Sequence, residues 1–154
     1  EAYGATPVQM PANKVYTSMS TGVVDGALMG SDSLLIFKLI EPTKYVTVGL
    51  PEMPTTIFLV MNEKAYNELS SSEKSALDSL TGLGMSIRAA NGLAGFGKIA
   101  LKKFSGISGK EIIELSAAER AKFDSAAAQG VKNVIRDQKS KGIPADQIVA
   151  AMKN

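Results

Sequence analysis

Apolar residues recur along this chain at two periods, and the first clear run is helical. Ala12, Val15, Tyr16 and Met19 fall at i, i+3, i+4 and i+7, which brings them onto one face of an α-helix. Pro11 suits the first turn of that helix, where a missing N–H costs nothing, and Gly22 suits a left-handed terminator. Ala5 to Met10 reads as a short strand before the helix, and Val23-Val24 as a very short one after it, stopped by the Asp25-Gly26 turn signal. Ser31 is placed to cap a short apolar helix from Asp32 to Ile40, which Pro42 keeps from continuing.

The middle of the chain switches period. Tyr45 to Val48 is β-branched and aromatic and reads as a strand, and a loop with Pro51 and Pro54 follows. Thr56 to Met61 is apolar on both faces, the pattern of a strand buried inside a sheet, and Asn62 caps what comes next. Ser70 to Glu73 has capping-box spacing and opens a long helical stretch with Leu77, Leu80, Gly84, Ile87, Asn91 and Ala94 at spacings of three or four. Gly82, Gly84, Gly92, Gly95 and Gly97 each cost about 1 kcal/mol relative to alanine in a helix interior, which predicts close packing or a bend, here near Gly92 to Gly97. Glu111 to Leu115 reads as another strand. Ser116 to Glu119 is a second capping box, launching a helix with Phe123, Ala127, Val131 and Val134 on one face. Gly142-Ile143-Pro144 ends that helix and starts a last one with Ile148, Val149 and Met152 directed inward.

Composition narrows the function classes. The chain has 154 residues, enough for a single hydrophobic core, with 45% hydrophobic and 21% charged residues. It contains no His and no Cys, which removes the residues enzymes use most for proton shuttling, thiol chemistry and zinc ligation, so the expectation is a protein that is not an enzyme and needs no cofactor. A net charge of +2, with Lys102-Lys103 the only adjacent basic pair, is no footprint for nucleic acid. The longest apolar run, Ile57 to Met61, falls far short of the roughly 20 residues of a membrane span. The first residues lack the basic and apolar regions of a signal peptide, so either the protein is cytosolic or its true N-terminus lies elsewhere.

Few motifs outweigh their plain readings. Gly92 to Lys98 matches the phosphate-cradling G-x-x-x-x-G-K pattern, but Ile99 stands where a magnesium-binding hydroxyl belongs and the preceding residues look helical, so small residues for close helix approach are the better account. Asp25 and Asp32 read as turn chemistry and a first-turn acid, not as paired catalytic carboxylates. Ser70-Ser71-Ser72 is a cap without an activating base. The scattered methionines read as core filler, and Arg88, Arg120 and Arg136 as partners in surface salt bridges.

One longer pattern carries more. Gly4-Ala5-Thr6-Pro7-Val8-Gln9-Met10-Pro11, Val15-Tyr16 and Thr21-Gly22-Val23-Val24-Asp25-Gly26 resemble the signature of solute receptors of the tripartite ATP-independent periplasmic (TRAP) transporters. The resemblance continues through Phe37-Lys38-Leu39, Lys44 to Thr47, Val60-Met61-Asn62 and Leu115 to Arg120. It implies an α/β chain that is part of a two-lobed, type II periplasmic-binding-protein-like fold with a long lobe-crossing helix, of which this is a C-terminal half. Residues 1–54 and 95–154 would build the C-terminal lobe, and 55–94 would contribute a crossover strand and long helix to the N-terminal lobe and hinge. Location in the periplasm, export by a signal peptide outside this chain, and delivery of a small organic acid to TRAP membrane permease subunits are implied with it.

The same resemblance implies hinge closure over an acid whose carboxylate is held by a bidentate arginine. That arginine belongs to a strand upstream of Glu1, and none of Arg88, Arg120 or Arg136 stands in for it, so the chain by itself is expected to bind acids poorly. Where sialic-acid and dicarboxylate receptors carry Glu-Asn-Pro after Asp-Gly, this chain has Ala27-Leu28-Met29-Gly30. It is closer to a branch with Asp-Gly-Ala-Leu, an aromatic, Pro, Trp and Glu, with Met29 at the aromatic place, Gly30 for Pro, Ser31 for Trp and Asp32 for Glu. Ala12 falls where sialic-acid receptors place a ring. The ligand-binding residues expected on this side are therefore Ala12, Leu28, Met29, Ser31 and Asp32, an apolar wall, with no catalytic or metal-binding residue. The alternative is a self-associating α/β module joined through the edge of the apolar strand Thr56 to Met61.

Overall fold

Helix boundaries follow the capping chemistry closely. The computed structural model describes residues 2–51 and 57–151. Helix α1 covers Ala12–Ser20 behind Pro11. It closes in a Schellman arrangement: Gly22 at φ 72° lets the Val23 N–H reach the Ser18 carbonyl at 2.8 Å and the Gly22 N–H reach Met19 at 3.2 Å. That closure explains why Val23-Val24 is not a strand, since the Val24 N–H is also turned onto Ser18. Ala5 to Met10 is likewise not a strand, because a strand exists only with a ladder partner and none pairs with it among the described residues.

Helix α2 is shorter than expected, Ser33–Ile36. Ser31 does not cap it. The Gly30 carbonyl instead accepts from both the backbone N–H (3.0 Å) and the hydroxyl (2.5 Å) of Ser33. The helix stops before Pro42 can act because Lys38 adopts φ 57°, and the Ile40 N–H turns back to the Leu34 carbonyl at 3.1 Å.

Strand β1, Tyr45–Val48, pairs with β2, Glu111–Glu114. The Glu111 N–H donates to the Lys44 carbonyl at 3.0 Å, so the strands start side by side and run parallel. The buried strand expected over Thr56 to Met61 is not formed. Thr56 lies outside the described residues, and Ile57 to Met61 is irregular and exposed, reaching 93% at Leu59, because nothing among the described residues offers it a neighbouring strand.

Asn62 caps α3, Glu63–Asn67, by accepting from the Lys64 and Ala65 N–H groups. Ser70 and Glu73 form the expected capping box on α4, Ser71–Leu80. The long stretch then breaks at Gly82, which adopts φ 75°, and α5 runs unbroken over Leu83–Ser105. The break therefore comes ten residues before the expected bend, and Gly92 to Gly97 lies inside a continuous helix. The phosphate-loop pattern is excluded by the same fact, since helical N–H groups are committed to carbonyls four residues back.

Helix α6, Ala117–Ser140, opens on the Ser116–Glu119 capping box and closes in a second Schellman arrangement, with Gly142 at φ 80° and the Ile143 N–H on Gln138 at 3.1 Å. Helix α7, Ala145–Ala151, folds back along it through a Lys139–Asp146 ion pair of 2.7 Å. Its buried residue among those described is Ala145, and Val149 is half-buried. Ile148 is half exposed and Met152 lies outside the described residues.

The chain forms two compact units: Glu1–Met10, Tyr45–Met53 and Ile112–Asn154 in one, Pro11–Lys44 and Pro54–Glu111 in the other. In the first, Tyr3 meets Phe123 edge-on with ring centroids 5.2 Å apart, and Arg120 donates to the Gly49 carbonyl at 2.5 Å. In the second, Val15, Leu34, Leu39, Ala100 and Phe104 are buried together as its core. No described helix is long and apolar enough to cross a membrane.

Both capping boxes carry a pH signature. Hydrogen bonds from the Ser70 and Ser116 hydroxyls and N–H groups hold the Glu73 and Glu119 carboxyls below the usual carboxylate range. A carboxyl lowered on folding stabilises above its unfolded pKa, and that contribution is lost as pH falls through the folded value. The S70A/S116A double variant is expected to be less stable than the parent at neutral pH, and the difference should shrink on acidification. Urea midpoints at neutral and acid pH measure it, and a gap that does not narrow would refute the box as its source.

Candidate functional site

All five residues expected to contact a ligand lie in the unit built from Pro11–Lys44 and Pro54–Glu111. Ala12 is the first residue of α1 and is half-buried. Behind it, Val15 is buried, and the Tyr16 hydroxyl donates to a Glu41 carboxylate oxygen at 2.5 Å, which raises the Tyr16 pKa. This bond ties α1 to the turn after Leu39. Sequence reading missed it, because nothing in a 25-residue separation announces a pairing of exposed side chains.

Residues 26–30 cross from α1 to α2 without regular structure. Leu28 and Met29 sit on this segment with 52% and 37% of their surface exposed, apolar side chains that their own unit does not cover. Ser31 and Asp32 behave differently. They form the turn that enters α2 and are half-buried, and Ser33 behind them is buried. The Asp32 carboxylate folds back over Gly30, in space a side chain at position 30 would need. Ser31 points its hydroxyl at Gly97 of α5: a Cβ on Gly97 would lie 2.5 Å from that oxygen. Helix α2 packs against α5.

The segment after Leu39 is also held by Lys110. Its ammonium donates to the Thr43 carbonyl at 2.6 Å and the Glu41 carbonyl at 3.4 Å, and lies 5.5 Å from the centre of the buried Phe104 ring. Sequence reading passed over this lysine as well.

Among the described residues no acidic cluster could hold a metal ion. Asp25 is exposed on the bend after α1, whereas Asp32 is half-buried at the entry to α2. The arginines are otherwise engaged or placed. Arg120 bonds Gly49 and Asp124, and Arg136 bonds Asn133. Arg88 is nine residues before Gly97 on α5, about 13 Å along the axis from the point where Ser31 touches the helix. An open depression of 860 Å³ along α6, bordered by Lys122, Gln129, Lys132 and Asn133, contains none of the expected residues.

The model of a family described as bacterial extracellular solute-binding protein, family 7 (DctP), matches residues 1–138. The chain belongs to this TRAP solute-binding family. It is a family of solute-binding proteins and not of enzymes. A solute-binding protein of Albidiferax ferrireducens is 32% identical over 76 residues, which is 48% of this chain and 22% of that protein. A marine-metagenome TRAP solute-binding protein from an unidentified microbe, described as specific for aromatic acid ligands, is 28% identical in its complex with 3-hydroxybenzoate, with a TM-score of 0.82 over 97% of this chain and 47% of that one. A TRAP periplasmic solute-binding protein of Bordetella bronchiseptica holding (R)- and (S)-mandelate is 25% identical, with a TM-score of 0.75 over 97% of this chain and 47% of its own. The family-7 chain thus has the α/β fold of part of a two-lobed receptor, and it spans about half the length of the solved structures it matches.

Proposed function

We propose that this family-7 chain is the C-terminal half of an extracytoplasmic, periplasmic receptor that captures a small aromatic carboxylic acid for a TRAP permease. The single observation that carries the ligand side is the pair Leu28 and Met29, apolar and uncovered, on a segment whose other end is fastened by Ser31, Asp32 and Ser33. An uncovered apolar wall suits a ring, and two solved relatives hold 3-hydroxybenzoate and mandelate. Ala12, Leu28, Met29, Ser31 and Asp32 form this wall in the proposal, with Ala12 leaving room where a larger side chain would stand.

A companion half supplies the rest. Ile57 to Met61, and Leu83 and Ile87 in the first half of α5, are apolar and exposed, the kind of surface that a partner covers. In this reading residues 1–54 and 95–154 make the C-terminal lobe, and 55–94 cross to the other lobe, where strands of the companion flank Ile57 to Met61. The charge that pairs with the carboxylate comes from that companion, because none of the three arginines stands at the wall.

Thermal shift with 3-hydroxybenzoate and with mandelate tests both parts. A ligand at about a hundredfold excess over its Kd stabilises by about 2.7 kcal/mol. The chain alone is expected to show far less, and the receptor joined to its companion half to show the full effect. Full stabilisation of the chain alone would overturn the need for a companion. No effect of any aromatic acid on the joined receptor would overturn the ligand class. The exposed run at Ile57 also favours a second reading, self-association through that segment. Sedimentation at several concentrations separates them, since a concentration-independent monomer rules self-association out.

A further inference from the structure

We infer that Gly97, in the middle of α5, is a positioning residue that sets where the wall segment Leu28–Met29 stands, acting through the hydroxyl of Ser31. The inference rests on the reading of that segment as ligand wall, and it names the element that holds it in place.

Glycine in a helix interior is disfavoured by about 1 kcal/mol against alanine, so a continuous helix that carries several is expected to use some of them for contact. Only some here meet anything. At Gly84, Gly92 and Gly95 an added Cβ would find nothing within 4 Å, whereas at Gly97 it would lie 2.5 Å from Ser31 Oγ, 3.6 Å from the Asp32 backbone nitrogen and 3.8 Å from Ser31 Cβ. Gly97 is buried, and it lies in the stretch of α5 that also buries Ala100 and Phe104, so the helix there has no freedom to retreat. The segment on the other side is equally fixed behind Ser31, where Ser33 is buried and bonds the Gly30 carbonyl twice. The Gly30 carbonyl is tied to that same turn, so pressure at Ser31 moves Gly30 with it and is passed to the irregular segment before it, Met29 and Leu28.

The distances also supply the compensating change. Of the three contacts, only the one to Oγ is closer than ordinary van der Waals separation, and Ser31→Ala removes that atom alone. Methyl-labelled protein reports the result without any ligand. In G97A the Leu28 and Met29 methyl resonances are expected to move while those of the core residue Leu39 stay. In G97A/S31A the Leu28 and Met29 signals are expected to return towards the parent. If they keep their parental positions in G97A, the hydroxyl has merely rotated aside and the inference fails. If they move and the double variant does not restore them, the effect does not pass through Ser31, and it fails again. Should G97A not fold, recovery of parental signals in the double variant supports the coupling and a double variant with displaced signals overturns it. Addition of 3-hydroxybenzoate to the receptor joined to its companion half distinguishes the two levels. Unmoved Leu28 and Met29 signals there would remove the wall reading and leave the Gly97 coupling standing.

Discussion

Phe104→Ala is expected to destabilise the chain by about 3–5 kcal/mol, the usual cost of emptying a fully buried phenylalanine site. Phe104 is 0% exposed and is the largest side chain so enclosed among the described residues. The other buried apolar residues of its unit, Val15, Leu34, Leu39 and Ala100, come from α1, α2, the turn after α2 and α5 itself. Helices of 9 and 4 residues are too short to be stable without that packing. The substitution should therefore lower the urea midpoint and also expose α1 and α2 to hydrogen exchange. A loss below about 1 kcal/mol would show that the ring is not enclosed as described.

Lys110→Met ranks next. Methionine keeps the apolar stem and removes the ammonium, leaving the Thr43 and Glu41 carbonyls without a donor that reaches them at 2.6 and 3.4 Å. Hydrogen bonds to a charged group are worth about 1.5–3 kcal/mol, and the contact with the Phe104 ring adds to that. Because Lys110 immediately precedes β2, and Thr43 and Lys44 immediately precede β1, this lysine fixes the point where the two strands meet. The expected result is a loss of about 1.5–3 kcal/mol by urea unfolding, with slower-exchanging amides of β1 and β2 becoming fast. Lys110→Arg should retain part of the stability, and a Lys110→Met protein as stable as the parent would mean that water satisfies both carbonyls.

Local chemistry was legible wherever it acts over a few residues. The two capping boxes, the Asn62 cap, the glycine closures at 22 and 142 and the strands Tyr45–Val48 and Glu111–Glu114 depend on residues within a turn of one another, or on side-chain types that suit one backbone state. Family membership was legible for a related reason, because the ordered signature from Gly4 to Arg120 is itself a string of such local features. The misplaced bend shows the limit. Five glycines in one stretch announced that something must compensate, but whether a glycine breaks the helix, as Gly82 does, or admits a neighbour, as Gly97 does, depends on what lies beside it.

The amino-acid order by itself determined the capping-box and glycine-closed helix ends, the strands Tyr45–Val48 and Glu111–Glu114, the family and the absence of the side chains that most enzymes use. Tertiary structure alone decided that Ser31 serves as a contact to Gly97 and not as a cap, that Leu28 and Met29 stand uncovered while Ser33 is buried, and that Tyr16 and Lys110 fasten the segment after Leu39. It also decided that Ile57 to Met61, apolar enough for a sheet interior, stands in the open. The division has a physical cause: caps and turns are satisfied by backbone groups a few residues away, whereas a buried contact or a strand requires a partner distant in the chain or on another polypeptide, and pattern along one sequence does not encode which.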